Sequence, residues 1–218
     1  MIYHETSPHA PAVIIMLTQT HESGKEKCFQ YYPHSLDEPV MQINEEDEFG
    51  DGFVGTLTLV SLTEDEKTRS EIRELELKVK DGEPRKIWHF LFAGWPDFLI
   101  PEDEDRAALI ELVRLSAEKN EDNESPRIVH CSAGVGRSGT FIALDHLLGE
   151  LEEGTLDEVD SSSDEPRDPI AELVDELRTQ RMMMVQAEPQ FTFLYDVLKD
   201  LWTRRWLANH QNATTEQS

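Results

Sequence analysis

The stretch IVHCSAGVGRSGTFIALDHLL, from Ile128 to Leu148, decides which fold the rest of the chain can adopt. Its first residues, preceded by Arg127, form a short apolar run that is typical of a buried strand. The following SAGVG consists of small residues and is typical of a tight loop. From Arg137 onward, apolar side chains recur at the spacing of a helix. A strand that turns directly into a helix is a building unit of α/β folds, and we therefore expect an α/β fold.

The same loop carries one cysteine and one arginine, Cys131 and Arg137. A cysteine among glycines is a poor core residue because glycine fills no space, so this position indicates chemistry. The N–H groups of a tight loop and the dipole of the following helix bind anions such as phosphate. The same positive potential can lower the pKa of a thiol from its usual ~8.5, and an arginine can bind two phosphoryl oxygens at once. Cys131 as nucleophile and Arg137 as clamp predict phosphoryl transfer through a thiophosphate intermediate.

The chain has 218 residues and a formal net charge of −25, from 45 acidic and 20 basic residues. This acidity makes nucleic acid and anionic membranes poor partners, because both are negatively charged.

No apolar run reaches the ~18 residues that cross a bilayer. The two cysteines, Cys28 and Cys131, do not have the spacing of a disulfide framework or a zinc site. We therefore expect a protein of the cytoplasm, or alternatively the nucleus, without a metal or another cofactor.

Short apolar runs in the first half of the chain alternate with turn signals and predict strands. These runs begin at Ala12, Lys27, Phe53, Ile72 and Lys86. The second half changes to helical spacing, and helices are predicted over 104–119, 138–148, 170–178 and 190–206. Together they predict a single α/β domain over 1–207, with a mixed twisted sheet flanked by helices. The acidic segment 152–168 predicts a loop, and 208–218 predicts a disordered polar tail.

Four motifs along the chain resemble those of the protein tyrosine phosphatase family. HCSAGVGRSG, from His130, is similar to the signature loop of that family, Cys-x5-Arg-Ser/Thr. WPD at Trp95 is similar to its mobile loop, and QAEPQFTF at Gln186 to the segment that positions water. ESGKEKCFQYYP at Glu22 is similar to its Glu…Lys-Cys-x-Gln-Tyr stretch. The chain thus resembles a non-receptor protein tyrosine phosphatase, which implies the α/β phosphatase fold and hydrolysis of phosphotyrosine in proteins without a cofactor.

The resemblance implies which residues carry the chemistry. Cys131 would attack phosphorus, and Ser138 would stabilise the thiolate when it departs again. Asp97 would protonate the tyrosyl oxygen and later deprotonate the water that Gln186 orients, and such acid catalysis contributes ~10²- to 10⁴-fold. The residues that would bind the phosphoryl group are Arg137 and the loop residues Ser132, Ala133, Gly134, Val135 and Gly136.

The resemblance also implies supporting residues. They are His130, Lys27, Glu22, Trp95 and Gln190. His130 would hydrogen-bond the signature loop, and Glu22 would hold Arg137. Lys27 would hold the closed mobile loop, and Trp95 would be the hinge of that loop. Plainer interpretations exist: Glu22 and Lys27 as a surface ion pair of little energetic value, and Gln186 and Gln190 as exposed polar residues where a helix starts.

Two rival enzyme classes share the Cys-x5-Arg signature, namely the lipid phosphatases and the dual-specificity phosphatases. The absence of lysine between Cys131 and Arg137, together with the negative net charge, argues against an anionic lipid head group. Gln186 and the loop at Trp95 argue against dual specificity. The implied partner is therefore a phosphotyrosyl protein, and the habit of the family suggests a protein kinase activation loop.

The resemblance begins in the middle of the family's catalytic domain. In the family, the tyrosine that stacks on the substrate ring and the first strands of the sheet lie upstream of the matching part. Without those strands, we expect the strand at Ala12 to be an unpaired sheet edge that exposes apolar surface. The alternative to an active enzyme is therefore an unstable or impaired fragment that binds phosphotyrosine or has no function.

Overall fold

The structure of the chain, a computed structural model, describes residues 1–80, 82–96, 98–158 and 167–215. Its internal contacts divide the chain into two compact units. The first unit comprises Met1–Pro96 and Pro101–Gly134, and the second comprises Asp97–Ile100 and Val135–Ser218. Residue 81 of the first unit and residues 97, 159–166 and 216–218 of the second lie outside the described residues.

The first unit is built on a mixed sheet. Its elements are α1 (Ile2–Glu5), β1 (Ala12–Met16), β2 (His21–Glu22), β3 (Lys25–Glu26), β4 (Val40–Ile43), β5 (Gly55–Asp65), β6 (Ser70–Val79), β7 (Arg85–Phe92), α2 (Asp103–Asn120) and β8 (Ile128–His130). The six-stranded sheet has the order β4-β5-β6-β7-β1-β8. Strands β4 to β7 pair antiparallel, whereas β1 is parallel to both of its neighbours. The predicted α/β fold with a mixed sheet and flanking helices is confirmed.

Strand β1 lies inside the sheet, between β7 and β8. Ile14 pairs in register with His89 on one side and with Ile128 on the other. All five residues of β1 are buried, as is typical of a parallel strand that is covered on both faces. The strands at the ends of this sheet are β4 and β8. The expectation of an unpaired edge at Ala12 is therefore wrong, because two strands that come later in the chain pair with β1.

The segment from Lys27 is not the strand that its apolar residues predict. The hairpin of β2 and β3 precedes it, with Ser23 and Gly24 at φ values of 52° and 74° in the turn. Positive φ at both turn residues is the backbone of a tight two-residue hairpin. Residues 27–33 that follow are irregular, and Tyr32 is a buried member of the core. The apolar pattern here indicates burial and not strand pairing.

Helix α2 packs on β1 and β7 through the face that its periodicity predicts. Leu109, Leu112, Val113 and Ser116 of this helix are all buried. Strand β8 follows α2, and its last residue, His130, directly precedes Cys131. The first unit therefore presents the signature cysteine at the carboxyl end of a strand, where ligand sites of α/β sheets commonly lie.

The second unit is helical. Its elements are α3 (Gly136–Glu153), a 3-10 helix (Thr155–Glu158), α4 (Pro169–Gln180) and α5 (Glu188–Thr215). Helix α3 packs against both α4 and α5. Helix α4 begins where the carboxylate of Asp168 accepts the N–H of Ala171 at 3.0 Å, with Pro169 at the first helical position. Helix α3 ends at Gly154, whose φ of 85° suits a glycine cap.

Two segments predicted as loop or tail contain helix. Within 152–168, α3 continues to Glu153 and the 3-10 helix follows, while 159–166 lie outside the described residues. Helix α5 continues to Thr215, so 208–215 are helical and not the disordered tail expected from their polar composition. The sequence of 208–215 is mostly polar and carries no apolar periodicity, which explains why the sequence pattern does not predict this helix end. In the part of the chain described, no helix is both long and apolar enough to cross a membrane.

Candidate active site

Cys131 begins the part of the signature loop that belongs to the first unit. Its side chain is 8% exposed, and its Sγ accepts the backbone N–H of Gly134 at 3.3 Å. Gly134 has a φ of 71°, which glycine adopts without steric cost. Ser132 and Ala133 between them are exposed. A hydrogen bond to the sulfur favours the thiolate over the thiol, so the loop backbone is arranged as a nucleophile requires.

His130 links the signature loop to two side chains of the first unit. Its Nδ1 lies 3.3 Å from the carbonyl oxygen of Cys131, and its Nε2 lies 2.7 Å from the Tyr31 hydroxyl. The same hydroxyl lies 3.0 Å from Nε2 of His89. Burial lowers the pKa of His130, and the contact with the Cys131 backbone partly opposes that shift. Burial likewise raises the pKa of Tyr31. His130 thus contacts the loop through the carbonyl of Cys131.

His89 should make the folding stability depend on pH. The side chain is 0% exposed, and its pKa is lowered to about 3, by burial first and then by the charge of Arg73. A histidine in the unfolded chain titrates near ~6.5, so on acidification the unfolded state takes up a proton that folded His89 does not. His89 should therefore leave the free energy of unfolding unaffected above pH ~6.5 and should lower it by about 1.4 kcal/mol for each pH unit between pH ~6.5 and the folded pKa of about 3.

Urea unfolding at a series of pH values from about 8 to 5 measures this slope. His89→Gln cannot take up the proton, so its stability should fall less steeply with acidification than that of the unchanged chain. His34 is exposed, and His34→Gln is the matched control that should leave the slope unchanged. Equal slopes for His89→Gln and the unchanged chain would contradict the prediction.

The rest of the signature loop opens helix α3 in the second unit. Gly136, Arg137 and Ser138 are all buried, and Arg137 is only 2% exposed. The hydroxyl of Thr140 donates to the carbonyl of Gly136 at 2.9 Å and so fastens the first turn. The Ser138 hydroxyl is buried and has no hydrogen-bond partner among the residues that the structure describes. A buried hydroxyl without a partner is costly, so this oxygen is available to a further group.

Gln186 and Gln190 lie against the backbone of Gly136, within the second unit. A Cβ on Gly136 would lie 3.1 Å from Oε1 of Gln190 and 3.4 Å from Oε1 of Gln186, so glycine permits this close approach. Gln190 is 1% exposed; its Oε1 accepts the N–H of Ala187 at 3.2 Å, and its Nε2 donates to the carbonyl of Leu99 at 3.5 Å. The alternative of an exposed polar residue is therefore wrong for Gln190, while Gln186 is half-buried.

The segment before Gln186 is fastened to α3 and α4 through its backbone. The carbonyl of Val135 accepts the N–H of Val185 at 3.1 Å. From α4, Arg178 donates its Nε to the carbonyl of Met184 at 3.0 Å and its Nη2 to that of Val185 at 3.1 Å. Val185 has a φ of 56°, a conformation that a β-branched residue adopts only when its surroundings hold it there. These bonds set the course of the chain that leads into Gln186.

Replacing Gly139 by alanine should destabilise the second unit. A Cβ on Gly139 would lie 2.5 Å from the backbone N of Val185 and 3.2 Å from Cα of Met184, so backbone would have to move. Overpacking of this kind costs about 1–3 kcal/mol. A Cβ on Gly149 in the same helix would meet no other side chain or loop within 4 Å among the described residues, and Gly149→Ala should instead stabilise the helix by about 0.5–1 kcal/mol. Urea unfolding of both variants measures these changes, and equal effects would contradict the prediction.

The remaining site residues predicted from the sequence lie in different surroundings. Trp95 is buried, with 2% of its surface exposed. Glu22 is half-buried, and its Oε1 accepts the hydroxyl of Thr18 at 2.9 Å. Lys27 is half-buried as well. Asp97 lies outside the described residues. The contacts of Glu22 with the signature arginine and of Lys27 with the mobile loop stay predictions.

Three residues that the structure joins to these groups have no role in the sequence-based prediction. Tyr31 belongs to the motif at Glu22, and a partly buried tyrosine hydroxyl generally has a hydrogen-bond partner, which is a usable signal. His89 stands between apolar residues in β7, and this position is a sequence signal for its burial. Arg178 carries no signal, because a basic residue in the last turn of a helix is ordinary.

Comparisons with known proteins extend over most of the chain. The family model described as protein-tyrosine phosphatase matches residues 1–200. Tyrosine-protein phosphatase 2 of Schizosaccharomyces pombe is 35% identical over 198 residues, which are 91% of this chain and 25% of that protein. The human protein named phosphatidylinositol phosphatase PTPRQ is 36% identical over 192 residues, which are 88% of this chain and 7% of that protein.

A solved structure shares the fold. The structure of the Trypanosoma cruzi protein tyrosine phosphatase TcPTP1 is similar with a TM-score of 0.72 and 27% sequence identity. The similarity covers 86% of this chain and 59% of that chain. The chain thus spans less than two thirds of the length of each of these three relatives.

Proposed function

Because the chain belongs to the protein-tyrosine phosphatase family, we propose that it hydrolyses phosphotyrosine in proteins through a cysteinyl-phosphate intermediate. The observation that carries the proposal is the loop backbone at Cys131, where the N–H of Gly134 is donated to the sulfur. Such a bond favours the thiolate that the reaction needs. Further along the same loop, the buried Arg137 lies in the first turn of helix α3, at the end where a helix attracts anions.

In the first step, Sγ of Cys131 attacks the phosphorus and the bond from phosphorus to the tyrosyl oxygen breaks. Asp97 gives its proton to that oxygen, because an unprotonated phenolate is a poor leaving group. Loop N–H groups and the guanidinium of Arg137 neutralise the phosphoryl oxygens. These groups supply the positive charge that a metal supplies in other phosphatases. Among the described residues, no group of three His, Cys, Asp or Glu side chains could hold a metal ion.

In the second step, water attacks the phosphorus and the bond between phosphorus and sulfur breaks. The Asp97 carboxylate accepts the proton of the water, and Gln186 orients it. The position of Gln186 and Gln190 against Gly136 supports this role. The Ser138 hydroxyl, buried and without another partner in the described part of the chain, would donate to the departing thiolate.

Substrate class is tested with a phosphotyrosyl peptide, a phosphothreonyl peptide of the same sequence and a phosphoinositide. We expect the highest kcat/KM for the phosphotyrosyl peptide, since the net charge of −25 and the lack of a loop lysine disfavour an anionic lipid surface. Equal values for the two peptides would contradict the preference for tyrosine. Faster hydrolysis of the phosphoinositide would favour the class after which the human relative PTPRQ is named.

Phosphorylated activation loops of protein kinases are the substrates that we propose to try first among phosphotyrosyl proteins. Both cysteines are free, which suits a reducing compartment such as the cytoplasm or the nucleus. Turnover of full-length phosphorylated kinases, compared with that of unrelated phosphotyrosyl proteins, tests this choice. A kinase substrate that is turned over no faster than the unrelated proteins would contradict it.

A further inference from the structure

A network of buried side chains in the first unit ends at the signature loop. Nε2 of His89 lies 3.0 Å from the Tyr31 hydroxyl, and this hydroxyl lies 2.7 Å from Nε2 of His130. Nδ1 of His130 lies 3.3 Å from the carbonyl oxygen of Cys131. The sulfur of Met16, 3.9 Å from the same hydroxyl, is only a weak acceptor. The network therefore connects strand β7 with the residue proposed as nucleophile.

The direction of these hydrogen bonds follows from the bond between His130 and the carbonyl oxygen of Cys131. A backbone carbonyl only accepts, so His130 must carry a hydrogen on Nδ1 to bond Cys131. Burial lowers the pKa of His130, so the ring is neutral and its Nε2 accepts the hydrogen of the Tyr31 hydroxyl. The Tyr31 oxygen is then left as an acceptor for its other neighbour. His89 must therefore donate from Nε2.

Burial and the charge of Arg73 keep the ring of His89 neutral. The titratable groups that face His89 are Tyr31, Tyr32, His130 and Arg73. Arg73 is 1% exposed, lies 4.5 Å over the ring of Tyr32 and is paired through Nη2 with Glu71. Among the described residues, its Nε and Nη1 and the Nδ1 of His89 have no hydrogen-bond partner. Arg73 pairs in register with His89 across β6 and β7, and its charge adds to burial in lowering the pKa of His89. The ring is therefore neutral and carries one hydrogen, and with that hydrogen on Nε2 the unpartnered Nδ1 carries none.

We propose that His89 is a positioning residue for Cys131: it directs the Tyr31 hydrogen onto His130 and so keeps the Nδ1–H of His130 on the Cys131 carbonyl. The inference rests on the proposed function only in treating the Cys131 thiolate as the nucleophile. When the donor at residue 89 is lost, the Tyr31 hydroxyl is free to turn away and the His130 ring can take the other tautomer. The Cys131 carbonyl then loses its donor, and the peptide that orients Sγ toward the N–H of Gly134 is held less firmly.

The test measures the reactivity of Cys131 without any phosphatase reaction. Iodoacetamide alkylation across a pH series, read by mass spectrometry of the Cys131 peptide, separates it from Cys28. In His89→Leu, we expect the alkylation midpoint of Cys131 to rise by about half to one pH unit, so that alkylation at pH values below the midpoint slows about three- to tenfold. His89→Gln retains an N–H near the position of Nε2 and should restore most of the rate. Unchanged alkylation in a folded His89→Leu chain would overturn the proposal.

A double variant shows whether His89 acts on Cys131 through the Tyr31 hydroxyl or through packing. Tyr31→Phe removes the hydroxyl, so adding His89→Leu to it should produce no further change in Cys131 alkylation. An equal loss in both backgrounds would show that His89 acts by packing and would overturn the proposal. Long-range ¹H–¹⁵N NMR of the unchanged chain needs no variant: it should show hydrogen on Nδ1 of His130 and on Nε2 of His89, and the opposite tautomer of either ring would overturn the proposal.

Turnover of a phosphotyrosyl peptide is measured beside these experiments. The expected tautomers and alkylation rates without turnover would overturn the proposed function and leave the role of His89 intact. Turnover together with unchanged alkylation of Cys131 in His89→Leu would overturn the role of His89 and leave the proposed function intact. The two inferences therefore fail separately.

Discussion

Replacing Cys131 by serine should abolish phosphotyrosine hydrolysis and leave phosphopeptide binding in place. A serine hydroxyl ionises far less readily than a thiol, and the loop supplies N–H donors for a thiolate but no base to activate a hydroxyl. Loss of a nucleophile that acts together with its neighbours lowers kcat by roughly 10⁴-fold or more. The donors of the loop and Arg137 remain, so a phosphorylated ligand should still bind. Steady-state turnover and isothermal titration with the same phosphopeptide measure the two effects.

The second cysteine provides the matched control. Cys28 is half-buried, its thiol donates to the carbonyl of Phe29 at 3.3 Å, and burial followed by the charge of Glu26 raises its pKa. It therefore remains a protonated thiol, and Cys28→Ser should retain turnover. Full activity of Cys131→Ser, or loss of turnover in EDTA, would contradict the mechanism. Phosphopeptide binding by the unchanged chain without any turnover would favour the alternative of a catalytically impaired protein that binds phosphotyrosine.

The strands of the sheet could be predicted where one face of a strand is buried. In β6, Leu75, Leu77 and Val79 alternate with exposed residues, and this period of two is visible in the sequence. The place of a strand within the sheet is a different matter, because it depends on how the connections cross. The strand at Ala12 has no feature that distinguishes an edge from a central position, and only the pairing with β7 and β8 shows that it is central.

The loop residues of the candidate site could be predicted because chain continuity keeps them together. The chemistry of a glycine-flanked cysteine followed by an arginine is visible in one short stretch. The approach of Gln190 to Gly136 could not be predicted, since it requires the packing of α3 with α5. The link of Tyr31 to His89 and His130 joins positions 58 and 99 residues apart, and such distant contacts leave no periodic pattern.

Replacing Asp97 by alanine should slow turnover by ~10²- to 10⁴-fold and leave phosphopeptide binding nearly unchanged. Asp97 lies outside the described residues, so this expectation comes from the WPD motif and from the chemistry of the leaving group. A tyrosyl oxygen has a pKa near ~10 and departs poorly unless it receives a proton. The acid must itself be protonated for this step, so kcat/KM of the unchanged chain should fall as pH rises above the pKa of Asp97. The alanine variant should lose that descending limb.

The leaving group separates an acid from a residue that merely shapes the loop. An aryl phosphate whose phenol is more acidic than tyrosine needs less protonation, so Asp97→Ala should slow its hydrolysis less than that of the phosphotyrosyl peptide. Asp37 is exposed, and Asp37→Ala is the matched control that should leave both rates unchanged. If Asp97→Ala lowered kcat/KM equally for both substrates, the carboxyl would act on loop structure and not as the acid of the first step. If it slowed neither, the proton donor would be another residue, while Cys131 and Arg137 would keep the roles proposed for them.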